Sequence, residues 1–193
     1  IGTELNDAAC SYLKDFGAAT ASNGAVGLYH IENLTPEAVE SGKDLIVEGA
    51  KEYIIDDAEL ERVQNNYPVM WKNKDAKPKL CFVGCPHLSL EQLKQWTIDI
   101  ERELKNNNKK TVVIDTVLTA APAVIEAFEK TEFAARLKAS GVVVSYICPI
   151  MYMNNPLCKK MAVITSSNKL RTYTTSRYYK DAEILQIITG GKN

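Results

Sequence analysis

The sequence predicts an α/β fold, a three-layer α/β/α sandwich built on a mostly parallel sheet. Short apolar runs of four or five residues stop at glycines or polar turns, as buried strands do. Helix-length stretches separate them, which is the spacing that parallel strands need for their crossovers. One strand-to-helix junction is spelled out residue by residue. The apolar run at residues 80–83 stops at Gly84, Cys85-Pro86-His87 follow, and Ser89 with Gln92 three residues on forms a capping box that opens a helical pattern.

Taken in order, Leu5, Ala9, Tyr12, Leu13 and Phe16 recur at helical spacing and predict an amphipathic helix over residues 6–16, ended by Gly17. After a stretch of small residues, the run at 25–29 reads as a buried strand closed by His30. Thr35-Pro36-Glu37-Ala38 is a helix start, with Thr35 as N-cap, Pro36 at the first helical position and Glu37 in the first turn. Residues 53–55 read as a short strand and 57–64 as a polar helix. Residues 70–78, rich in lysine and proline, read as a surface loop and as the boundary between two subdomains, 1–72 and 73–193.

Beyond that boundary the alternation becomes regular. A strand at 80–83 leads to a helix at about 90–104, a strand at 111–114, and a helical region at 121–138 broken near Thr131. Gly141 then acts as a C-cap. Strands at 142–146 and 161–164 come next, the second followed by the polar turn Thr165-Ser166-Ser167-Asn168. A last apolar run at 184–188 ends at Gly190-Gly191.

Bulk properties narrow the function classes. Twenty-three basic residues against 24 acidic ones give a net charge of −1, which offers no electrostatic footprint for nucleic acid or a membrane surface. The longest apolar stretch, residues 141–153, contains Ser145 and Pro149 and falls short of the ~20 residues that a spanning helix needs. Five cysteines at irregular spacing, with no C-x-x-C pair, fit free or metal-bound thiols in a reducing compartment, the cytoplasm, better than a disulfide framework.

The chemistry-bearing residues collect at predicted strand ends. His30 and His87 each sit just past an apolar run, and Cys85 and Cys148 each open a Cys-Pro dipeptide after a strand. In α/β proteins ligands bind at the carboxyl ends of strands, and a thiol there, near a helix N-terminus, is favoured as thiolate. Each could equally be a packed or capping residue. Cys81, four residues before Cys85 and roughly 13 Å away at strand rise, reads as core. Cys10 reads as helix packing, and Cys158 is left open.

Thr165-Ser166-Ser167-Asn168-Lys169 is the best anion site in the chain, with hydroxyls, backbone N–H groups and Lys169 or Arg171 to meet a carboxylate or phosphate. A capped helix start would look the same. No dinucleotide or P-loop fingerprint is present, and two thiolates are too few for an ordinary closed metal site.

Four motifs, in order, resemble the catalytic (large) subunit of the aconitase X family, Fe–S hydro-lyases related to aconitase. Ala21-Ser22-Asn23-Gly24-Ala25-Val26, continuing to Tyr29-His30, resembles the family's A-S-S-G-A-V-A-L-Y-H. Thr35-Pro36-Glu37-Ala38 matches its T-P-E-A, and Gly84-Cys85-Pro86-His87 with Ser89 matches G-C-P-H-x-S. Thr165-Ser166-Ser167-Asn168-Lys169, with Tyr173, resembles T-N-S-x-K followed by a tyrosine. The family's chain is longer, so the sequence corresponds to its C-terminal portion.

The resemblance implies an aconitase-like sandwich and a dehydratase. An iron–sulfur cluster would be held by three cysteines and leave one iron open as a Lewis acid. Cys85 and Cys148 would be two of the ligands, and the third would lie upstream of this sequence. Ser167 is the implied base, Lys169 a substrate-holding catalytic residue, and His87 an acid/base or a donor beside the cluster. Ser22, Asn23 and His30 would line the substrate cleft, together with Ser166 and Arg171 from the anion turn. The implied substrate is a small hydroxy acid, mevalonate 5-phosphate or cis-3-hydroxy-L-proline, and the implied partner a small swivelling subunit. Tyr146-Ile147 stands where the family has Asp-Thr, Asn23 where it has serine, and Ser166 where it has asparagine. The competing expectation is an isolated α/β module with neither cluster nor activity.

Overall fold

The computed structural model describes residues 6–191. Helix α1 (Asp7–Gly24) is capped by the Asn6 side chain, which accepts from the Ala9 N–H. Helices α2 (Pro36–Ser41) and α3 (Asp57–Asn65) follow. The remainder alternates strand and helix: β1 (Leu80–Leu88), α4 (Leu90–Asn106), β2 (Asp115–Ala120), α5 (Pro122–Glu129), α6 (Glu132–Ala139) and β3 (Val143–Ser145). Then come α7 (Pro149–Met153), β4 (Val163–Thr165), α8 (Asn168–Tyr173), β5 (Arg177–Tyr178) and α9 (Asp181–Thr189).

The five strands form one sheet in the order β3-β2-β1-β4-β5, and every pairing is parallel. Side-chain alternation along β1 divides the core in two. Cys81 and Val83 pack with the α4 stripe Leu93, Trp96, Ile100 and Leu104 and with Phe128, Leu137, Ile184 and Ile188 from α5, α6 and α9. Leu80 and Phe82 face the other way, onto Met153 of α7, Val163 and Leu170 of α8. Helices therefore cover both faces, and the sandwich has three layers.

The capping box was legible in the sequence and is formed: Ser89 Oγ accepts the Gln92 N–H at 3.2 Å and Gln92 Oε1 accepts the Ser89 N–H at 3.0 Å. The break near Thr131 is the α5–α6 junction. Other boundaries differ for identifiable reasons. Helix α1 runs through Gly17, because Ala18-Ala19-Thr20-Ala21 contains strong helix formers that outweigh one glycine. Leu5 of the predicted helix lies outside the described residues.

Residues 25–29 are not a strand. They turn back along α1, where the Tyr29 hydroxyl donates to Leu13 O at 2.8 Å and its ring stands edge-on to Phe16 at 4.8 Å. Residues 53–55 are likewise unpaired, with Tyr53, Ile54 and Ile55 all exposed. An apolar run makes a strand only where a partner edge exists, and periodicity does not report that. The predicted strand at 111–114 begins later, at Asp115. The Val112 N–H bonds the Ser140 carbonyl at 2.9 Å and the Val113 N–H bonds Ile188 O at 2.8 Å, so helix ends take the donors a sheet would need.

β1 extends past its predicted end through an irregularity at Gly84. Its φ is +109°, and the register to β2 shifts between Val83 and Leu88. A Cβ at Gly84 would collide with the Thr119 carbonyl and lie 2.7 Å from Thr119 Oγ1. Both the conformation and the close approach require glycine. Gly84→Ala is expected to cost about 3 kcal/mol, read as a shift in the urea midpoint; a shift under a third of that would mean β1 and β2 can separate there freely.

Candidate functional site

The strand order locates the site. The chain steps from β1 to β2 to β3 on one side, then returns to lay down β4 and β5 on the other. The switch point lies between β1 and β4, and the crevice at their carboxyl ends is where such sheets bind ligands. Gly84, Cys85 and Pro86 form one lip, with a cis peptide between Cys85 and Pro86, and Ser166-Ser167 the other. Between them opens a cleft of about 420 Å³, roofed by Tyr12, Asp15, Phe16 and Ala19 of α1 and bordered by Trp96, Lys169, Tyr178 and Asp181.

Cys85 is buried, at 6% exposure. Burial pushes its thiol pKa up to about 11; the Ser167 hydroxyl and the Lys169 ammonium pull down, while the nearby Cys148 thiol pushes the same way as burial. The thiol is therefore protonated at neutral pH, and a metal bound there must displace that proton. Cys148 is half-buried at the N-cap of α7, before Pro149 at the first helical position. Cys81 is fully buried in the opposite core, its pKa raised by burial and by Asp181.

Ser167 is the N-cap of α8. Its Oγ accepts the Leu170 N–H at 3.0 Å and donates to the Cys85 carbonyl, so the two lips are directly joined. Lys169 lines the same cleft. Ser166 also lines it, beside the Asp181 carboxyl, whose pKa burial raises against an opposing pull from the Ser166 hydroxyl. The turn is thus at once the capped helix start and a polar wall of the cleft.

The donor set fits part of a cluster site. The Cys148 thiol lies near that of Cys85, each in the turn that follows a strand, and among the described residues no group of three His, Cys, Asp or Glu side chains is placed to hold a metal ion. Residues 78–187 match the family model described as the aconitase X third domain, and residues 3–65 match the aconitase X second domain. The chain belongs to the aconitase X family.

Relatives agree. The phosphomevalonate dehydratase large subunit of Methanosarcina mazei is 29% identical over 187 residues, covering 93% of this chain and 42% of that protein. That of Thermococcus kodakarensis is 31% identical over 113 residues, 58% of this chain and 26% of that one. The crystal structure of Thermococcus kodakaraensis aconitase X in its holo-form superposes with a TM-score of 0.72 at 22% identity, covering 96% of this chain and 46% of that chain. The aconitase X fold is shared, and the chain spans less than half the length of these relatives.

Of the residues singled out in the sequence, Cys85, Ser166, Ser167 and Lys169 line one cleft, with Cys148 beside Cys85. His87 stands at its edge. Its carbonyl accepts from Lys14 at 2.5 Å, and its Nε2 is buried without a hydrogen-bond partner among the described residues. Burial, then the Lys14 charge, lower the imidazole's pKa.

The others lie off the lining. Ser22 Oγ bonds back to the Ala18 carbonyl at 2.7 Å, and His30 Nδ1 sits 3.9 Å from Glu37. Asn23 and Arg171 meet each other at 2.7 Å, with the Arg171 guanidinium 3.9 Å above the Tyr67 ring. Asp15, Gln92, Tyr178 and Asp181 line the cleft and were not foreseen. Gln92 was visible only as a capping residue; the others carry no local signal. No helix among the described residues is long and apolar enough to cross a membrane.

Proposed function

We propose that the chain is the cluster-binding and base-bearing part of an aconitase X hydro-lyase. The observation that carries this is the convergence, at one switch-point crevice, of Cys85 with the Ser166-Ser167-Lys169 turn, and of Cys148 near Cys85. Cys85 and Cys148 would hold an iron–sulfur cluster together with a third cysteine from outside these residues. When bound, such a cluster supplies an open iron as a Lewis acid toward a substrate hydroxyl and carboxylate.

The chain's own residues supply the rest. In a dehydration, a C–H and the neighbouring C–O bond break, a C=C bond forms, and water leaves. Ser167, its Oγ proton first lost to solvent, takes the C–H proton as the alkoxide, and the departing hydroxide takes up a solvent proton to leave as water. The Leu170 N–H and the adjacent Lys169 ammonium favour negative charge on Ser167 Oγ. Lys169 and Ser166 hold the substrate carboxylate, and α1 keeps water from the crevice. His87 shapes the wall behind the thiol. Arg171, Asn23, Ser22 and His30 belong to the outer surface of this arrangement.

The relatives' names favour mevalonate 5-phosphate as the substrate over cis-3-hydroxy-L-proline. As a large-subunit segment, the chain works with a small subunit in a reducing compartment. The separate matches to residues 3–65 and 78–187 support a division into 1–72 and 73–193. With only two of the three ligand thiols, Cys85 and Cys148, the 193-residue chain alone is inactive. Anaerobic reconstitution with iron and sulfide tests this: the chain alone stays colourless, and the assembly with the upstream segment and small subunit develops cluster absorption. A colourless complete assembly would overturn the reading.

A further inference from the structure

The turn that carries Cys85 is gripped from three sides through its carbonyl groups. Thr119 Oγ1 of β2 donates to Gly84 O at 2.6 Å, Ser167 of the β4 turn donates to Cys85 O, and Lys14 Nζ of α1 donates to His87 O at 2.5 Å. The third grip is part of a larger knot. Lys14 also donates to Gln92 Oε1 at 2.8 Å, and Gln92 Nε2 donates to Asp15 at 2.8 Å. Ser11 Oγ lies 2.9 Å from Ser89 Oγ. The α4 capping box is therefore knitted, residue by residue, into α1.

Helix α1 is the roof of the cleft, so this knot decides how the roof sits over the thiol. The other end of α1 is tied by Asn23 to Arg171, but that bond is exposed and more than two helical turns away. Lys14 is half-buried, and its ammonium is the group that joins the turn's outer carbonyl, the capping box and α1 at one point. A charged donor to two carbonyl-type oxygens is stronger than a neutral one.

We propose that Lys14 is a positioning residue: by fastening α1 to the Pro86-His87 end of the turn, it sets the access to Cys85 and the alignment of the thiol toward Ser167. The link to catalysis rests on the hydro-lyase reading; the positioning itself does not. The latch would open as a local fluctuation, leaving the sheet folded.

The test is iodoacetamide labelling of the native 193-residue chain at mildly alkaline pH, followed cysteine by cysteine by mass spectrometry. Lys14→Met keeps the apolar stem and removes the donor. It is expected to raise the Cys85 rate about tenfold while leaving Cys81, in the opposite core, at its wild-type rate. Lys14→Arg is expected to restore protection. Should Lys14→Met not fold, Ser11→Ala loosens the same knot without touching a charge and is expected to move Cys85 about threefold in the same direction. An unchanged Cys85 rate, or a parallel rise at Cys81, would overturn the proposal. A complete wild-type assembly inactive on every hydroxy acid would instead remove the hydro-lyase reading and leave the labelling result to decide on Lys14.

Discussion

Cys85→Ser, in the assembly with the upstream segment and small subunit, is expected to abolish the visible absorption of the reconstituted cluster and to reduce dehydration to background. A serine oxygen is a poor replacement for thiolate toward iron. Cys148→Ser is expected to do the same, because Cys148 lies near Cys85 and is the second proposed ligand. Cys81→Ser is the control. Its side chain lies on the opposite face of β1, among Leu93, Ile100 and Ile164, with no exposure at all. There the substitution strands a hydroxyl in apolar core and costs about 1–3 kcal/mol of stability, yet the cluster should form. Equal loss of colour in Cys81→Ser and Cys85→Ser, at temperatures where both are folded, would mean that the assignment of faces along β1 is wrong.

Ser167→Ala carries the second large effect. It removes the proposed base, and the expected fall in kcat is about a hundred- to ten-thousandfold. The same change deletes the α8 N-cap, since Ser167 Oγ accepts the Leu170 N–H. A lost cap costs about 1 kcal/mol, too little to explain such a fall in rate. The two contributions separate when unfolding and steady-state kinetics are measured on the same variant with its cluster content known. A loss of activity that tracks only the loss of folded protein would reduce Ser167 to a capping residue.

The parts of this site that were legible in the sequence are those written in consecutive residues. The Ser89–Gln92 capping box, the glycine that ends the first apolar run of β1, and the hydroxyl-rich turn after β4 each depend on contacts within a few positions, and each is found where the sequence puts it. Lys14, Asp15 and Asp181 could not be read the same way. Lys14 meets His87 and Gln92 across separations of 73 and 78 residues, and nothing in the local sequence of α1 distinguishes it from any solvated lysine.

The unforeseen backbone has a similar cause. The runs at 25–29 and 53–55 are as apolar as the strands that did form. A strand is completed by its neighbour, and the described residues offer those runs no edge. At 111–114 the composition was right for a strand, but the Ser140 and Ile188 carbonyls reach Val112 and Val113 first. Asn23, proposed from the motif resemblance, and Arg171, proposed as a charge for the anion turn, do come together, although at the outer end of α1 rather than in the cleft. Resemblance marks residues that belong near one another; which side of a helix they occupy is settled by packing.

Dehydration by the whole enzyme is the property from which every proposed role in the crevice follows. The most direct measurement is the initial rate at which the anaerobically reconstituted assembly, containing this chain, its upstream segment and the small subunit, converts mevalonate 5-phosphate to the unsaturated acid and water, with cis-3-hydroxy-L-proline run in parallel. Turnover of mevalonate 5-phosphate well above that of the hydroxyproline is the predicted result. An assembly that carries its cluster and dehydrates neither compound would contradict it.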